Sequence, residues 1–152
     1  MYYRLIIATF MSFVFLIGCQ TATNTSNENM DEGEIPKKPS ETFQSGGYTM
    51  LGEKDRLGFI VSENETFQPE QGQKYMWHLW GSEEELDGSF KVIGIHEEGE
   101  KTTVVASKDL GGPNNGADAH TPSIMSLPKK GIWTLSAYVG DELFDTVTIE
   151  VE

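Results

Sequence analysis

Hydrophobic positions divide the chain into three stretches. Leu5 to Ile17 is almost wholly apolar. Gln20 to Asn29 then has no apolar residue larger than Ala, and Asp31 to Ser40 adds charges and two prolines. From Gly46 onward apolar residues recur with period two. Gly46-Gly47 opens this stretch, and Tyr48 to Leu51 is apolar or β-prone. Leu57, Phe59 and Val61 alternate with Gly58, Ile60 and Ser62. Lys74 to Gly81 is rich in aromatics, and Phe90 to His96 and Thr102 to Ala106 are β-branched runs around a charged turn. Ile124 to Leu127 predicts a short strand. Trp133, Leu135, Ala137 and Val139 form one face of the next, and Gly140-Asp141 is a hairpin-type turn into Leu143 to Val151. Glu83 to Leu86 predicts a single helical turn. Period two broken by Gly, Pro and Asn indicates an antiparallel all-β domain.

Seven to eight short strands over residues 46–152 suit an immunoglobulin-like antiparallel β-sandwich. Leu127-Pro128-Lys129-Lys130-Gly131-Ile132-Trp133-Thr134-Leu135 resembles the corner that leads into the F strand of that fold. There a turn Gly is followed at +2 by Tyr and at +4 by Cys. Trp133 takes the Tyr position and Leu135 the Cys position. The resemblance implies a core without the inter-sheet disulfide and leaves the corner hydrogen bond open, since Trp has no hydroxyl.

The first eighteen residues have the parts of an export leader: Arg4 near the start, an apolar run and a small Gly18. The run is shorter than the roughly 20 apolar residues a spanning helix needs. Leu16-Ile17-Gly18-Cys19 resembles the bacterial lipobox. That resemblance implies acylation of Cys19 with palmitate-type chains and cleavage before it. The alternative is an ordinary secretory leader with an incidental cysteine. The expected organisation is a leader at 1–18, an acylated Cys19 with a flexible tether to 45, and a domain at 46–152. The tether composition cannot offset its ordering entropy. As a coil it spans roughly 25–30 Å. Two acyl chains give stable anchoring, so the expected location is the extracytoplasmic face of the cell membrane.

Composition narrows the partners. The chain has 24 Asp plus Glu against 11 Lys plus Arg. Removing residues 1–18 takes away one cation, Arg4. Such acidity disfavours nucleic acid and basic-patch binding to anionic lipid. Cys19 is the one cysteine, so its acylation leaves no thiol for a disulfide or a Cys-ligated metal.

Tyr75-Met76-Trp77-His78-Leu79-Trp80-Gly81, Gly116-Ala117-Asp118-Ala119-His120 and Gly131-Ile132-Trp133 resemble a family of uncharacterised small lipoproteins of Bacillus-type Gram-positive bacteria. The resemblance implies an envelope type and no particular activity.

Candidate chemistry lies in two places. The strand at 74–81 is bulky on both faces, with Tyr75, Trp77 and Leu79 on one and Met76, His78 and Trp80 on the other. Either it is buried on one side with Trp80 covering a loop, or one aromatic row is a binding surface. The segment 108–123 is long for a connection and is either a sheet-to-sheet crossover or a ligand loop using Asp118 and His120. Asp109, Asn114, Asn115 and Asp118 offer oxygens but lack the spacing of a calcium loop. His78, His96 and His120 are scattered and lie in no local metal motif. Reaction motifs are absent, including G-x-S-x-G and H-E-x-x-H. The expected function is a non-catalytic binding module with candidate ligand residues Trp77, His78, Trp80, Asp118 and His120. No metal, cofactor or catalytic residue is assigned. The expected partner is an envelope protein, a peptide or a glycan. One alternative is a metal-dependent site from His78, His120 and Asp118, for catalysis or metal delivery. Another is a structural or assembly factor for an envelope protein.

Overall fold

The computed structural model describes residues 38–152, which form nine β-strands and no helix. They are β1 (Thr42–Ser45), β2 (Tyr48–Glu53), β3 (Leu57–Ile60), β4 (Gln73–Leu79), β5 (Phe90–His96), β6 (Lys101–Lys108), β7 (Ala119–Met125), β8 (Gly131–Val139) and β9 (Glu142–Val151). Two antiparallel sheets result, ordered β1-β2-β3-β4-β7 and β6-β5-β8-β9. In immunoglobulin terms β3, β4 and β7 are A, B and E, and β6, β5, β8 and β9 are C′, C, F and G. The all-β sandwich expected from alternation is therefore present. Its extra strands, β1 and β2, extend the first sheet beyond A.

Eight of the nine strands overlap expected ones, and β1 is the addition. Gly46-Gly47 does not open the domain; it turns the β1–β2 hairpin, pairing Ser45 with Tyr48. Both glycines have positive φ, +56° and +82°. That is the type I′ geometry whose twist matches two strands. Order extends further back. Ser40 N–H donates to Thr148 O at 2.8 Å, and Ser40 Oγ accepts from Thr148 N at 2.9 Å. These bonds cover the free edge of β9, which Phe67 covers further along by pairing with Val151. Ser40 to Ser45 thus belong to the folded domain. The leader, Cys19 and most of the expected tether lie outside the described residues.

The core lies between the sheets. β4 contributes Tyr75, Trp77 and Leu79, and β8 contributes Trp133, Leu135 and Ala137. Trp133 is fully buried and its Nε1–H donates to Lys129 O at 3.0 Å. The indole thus replaces the tyrosine hydroxyl of the F-strand corner, bonding to backbone four residues upstream. The same corner is held by His96, whose Nε2 lies 3.0 Å from Lys130 O and whose ring meets Trp133 edge-on at 4.9 Å. The β8–β9 turn is Gly140-Asp141, with Gly140 at φ +60°.

Candidate functional site

Alternation along β4 puts His78 on the outer face of the first sheet, and β7 places His120 directly opposite it. Segment 111–117 folds back over this pair. Its tip is Asn115-Gly116, with φ +48° and +86°, and Asn114 and Ala117 exchange both backbone hydrogen bonds. An Asn-Gly pair is suited to this type I′ turn, because both residues tolerate positive φ. Three contacts hold the tip down. Trp80 Nε1–H donates to Gly116 O at 2.7 Å, Ser45 Oγ donates to Asn115 O at 3.0 Å, and Asn115 Nδ2 lies 3.1 Å from His78 Nε2. Gly46 fits beneath: a Cβ there would approach Asn115 Cα to 2.5 Å.

His78 is fully buried under this flap. Its Nδ1 lies 3.1 Å from Met76 O. A carbonyl only accepts, so Nδ1 carries the proton and Nε2 accepts from the Asn115 amide. Burial pushes the His78 pKa below its ordinary value, and nearby His120 adds to this against the opposing Met76 hydrogen bond. The unfolded chain protonates this imidazole near pH 6.5. Below that pH the unfolded state binds a proton that the folded state resists, so stability falls as pH drops through 6.5 toward the lower folded value. Thermal melts of the parent and His78→Gln across pH 5–8 are expected to show a shallower acid-side decline in the variant. Equal slopes would remove His78 as the cause.

The other residues singled out by sequence separate. Trp77 is fully buried, with Nε1–H donating to Ser123 Oγ at 3.0 Å, so it belongs to the core and presents no ring to a ligand. The row of Tyr75, Trp77 and Leu79 is therefore not an exposed binding surface, because that face of β4 packs against the opposite sheet. Trp80 is half-buried and meets Phe43 edge-on at 5.8 Å. His120 Nδ1 lies 2.7 Å from Gly112 O. Asp118 is exposed and its Oδ2 accepts from Gly81 N at 3.0 Å. The metal alternative fails on this geometry. Both His78 nitrogens are engaged by protein, and among the described residues no group of three or more His, Cys, Asp or Glu gathers. The connection itself ends at Asp118, since Ala119–Ser123 belongs to β7.

Asp118 instead joins the β4–β5 loop to the β6–β7 loop at one pole of the sandwich. The β4–β5 loop makes the expected single turn, with Leu86 N–H donating to Ser82 O at 3.1 Å and Ser82 Oγ accepting from Glu85 N at 3.3 Å. The β6–β7 loop is fastened where Gly111 pairs with His120. Between them lies an open groove of about 820 Å³. Glu83, Glu84, Asp87 and Asp118 border it, and Leu86 and Leu110 supply apolar surface. Sequence reasoning missed this groove. The Glu83-Glu84-Glu85 run was its only local trace, and nothing local paired that run with Leu110. Beside it, Arg56 bonds Glu85 at 2.9 Å and Phe144 O at 3.1 Å, and stacks 3.7 Å over the Phe144 ring. Hydrogen bonds from Ser82, then Arg56, hold Glu85 below the usual carboxylate range.

Comparison with known proteins agrees with this architecture. A crystal structure described as "a Putative Lipoprotein from Bacillus anthracis" matches with a TM-score of 0.60 and 17% identity, over 78% of this chain and 88% of that one. At that identity the likeness concerns the fold. No curated protein matches the chain. A family model described as "Domain of unknown function (DUF4871)" matches residues 28–149, most of the length. With the sandwich, its F-strand corner and this match in place, the chain belongs to the DUF4871 family.

Proposed function

We infer that this protein is a lipid-anchored lipoprotein of the extracytoplasmic membrane face, whose β-sandwich is a non-catalytic interaction module. The observation that carries the interaction role is the groove whose two walls are tied together by Gly81 N–H and Asp118 Oδ2. A binding surface assembled before its ligand arrives avoids much of the ordering cost of association. The anchor rests on Leu16-Ile17-Gly18-Cys19 behind an apolar run. The likeness to a protein described as a lipoprotein agrees with it. Acyl chains hold such a module at the surface without a spanning helix.

Two measurements test this. Cys19→Ala is expected to move the protein from the membrane fraction to the soluble or secreted fraction; equal membrane retention would remove the anchor. Pull-down from solubilised membranes is expected to capture an envelope protein with the parent and to lose it with Asp118→Ala or Trp80→Ala. Melting curves on each variant separate lost binding from lost fold. A partner retained by both folded variants would displace the site from this pole.

A further inference from the structure

We propose that the groove between the β4–β5 and β6–β7 loops receives a cationic, lysine- or arginine-bearing polypeptide segment that also carries apolar side chains. This assignment rests on the interaction-module reading and specifies the chemistry of the partner.

Two features of the groove select that chemistry. Its apolar surface comes from Leu86 and Leu110, both packed against the core and only half-buried. They leave hydrocarbon available to an occupant of the cleft. Its border carries Glu83, Glu84, Asp87 and Asp118, all exposed, and no Lys or Arg lines it. The nearby cation, Arg56, is already engaged by Glu85 and two backbone carbonyls, so it does not offset the border. A cleft bordered by one sign of charge concentrates the field and attracts the opposite sign. An anionic polymer, whether nucleic acid or polyphosphate, would meet like charge on every wall. A purely hydrophilic polycation would leave the leucines unused. An alternating basic and apolar segment satisfies both.

The walls are held for this role. The Gly81–Asp118 hydrogen bond uses one carboxylate oxygen, Oδ2, of a side chain that remains exposed. The Ser82–Glu85 contacts close the β4–β5 loop on itself, with Ser82 N–H donating to Glu85 Oε2 at 3.0 Å. Glu83, Glu84 and Asp87 are thereby presented on a structured turn.

The test uses the full chain in detergent and a fluorescent ten-residue peptide of alternating Lys and Leu. Companion peptides carry Glu for Lys or Ser for Leu. The Lys/Leu peptide is expected to bind, more weakly as salt rises, and the Glu/Leu peptide is not. The Lys/Ser peptide is expected to bind less tightly than the Lys/Leu peptide. The double variant Glu84→Gln with Asp87→Asn should weaken binding by about ten-fold, since two exposed charges facing the peptide are lost together. A charge-matched control, Glu63→Gln with Glu150→Gln, removes two exposed carboxylates that do not line the groove. It should change affinity by about two-fold or less. Equal loss in both double variants would reduce the effect to net charge and overturn the proposal. So would equal binding of the Glu/Leu peptide. Should membrane capture still depend on Asp118 while the peptides fail to discriminate, the module stands and the cationic assignment falls. Should capture fail as well, both fall.

Discussion

Trp133→Ala is expected to destabilise the domain by about 3–5 kcal/mol, the range for truncating a large aromatic in a core. Three contributions act together. The indole is fully buried, so its removal opens a cavity between the sheets. Its Nε1–H bond to Lys129 O disappears, freeing the corner that leads into β8. Its ring also supports His96 at 4.9 Å and fits against Gly94, where an added Cβ would lie 3.2 Å from Trp133 Cε3. Chemical denaturation of the domain measures the change. A variant as stable as the parent would mean that the corner is held by something other than this side chain. Trp133→Phe is expected to fall between the two, since it keeps most of the volume and loses the donor.

Trp77→Ala should cost a similar amount, about 3–5 kcal/mol, from the other sheet. Its ring lies 4.7 Å from Phe59 and 5.3 Å from Phe90, so it links β3, β4 and β5 across the core. Truncation also strands Ser123 Oγ, which is buried and accepts the indole N–H. An unsatisfied buried polar group adds about 1–3 kcal/mol. Trp77→Ala combined with Ser123→Ala is therefore expected to be less destabilising than the two single effects added. The double-mutant cycle checks this directly, and strict additivity would show that the hydrogen bond carries no energy. Partner binding per folded molecule should remain unchanged in Trp77→Phe, because this ring does not reach solvent.

Much of the sandwich was legible because its signals are local. Trp133, Leu135, Ala137 and Val139 alternate in sequence and all are buried in β8. The F-strand corner was legible from Gly131 and Trp133, though the sequence left its hydrogen bond open. β1 was not legible. Thr42-Phe43-Gln44-Ser45 follows a polar, charged stretch and is only four residues long. Its assignment depends on β2 lying beside it. β7 was half legible: Ile124 and Met125 read as strand, while Pro122 and the glycines upstream of His120 read as loop. Pro122 is tolerated because β7 is the edge of its sheet.

The site divides in the same way. Sequence marked Asp118, His120, His78 and Trp80 as unusual, and all four lie in or beside segment 111–120 in space. It did not show that Trp77 is core while His78 supports a flap, because period two allots residues to faces without saying which face is covered. It did not reveal the groove, because Glu83, Leu86, Leu110 and Asp118 become neighbours only when β4 pairs with β7 and the two loops meet. By itself the sequence determined the strand alternation, the glycine turns, the acidic charge and the lipobox-like motif at Cys19. These depend on residues within a few positions of one another. Tertiary structure alone decided which aromatic is buried, which histidine is capped and which carboxylates share a cleft, since each of those depends on contacts between segments far apart in the chain.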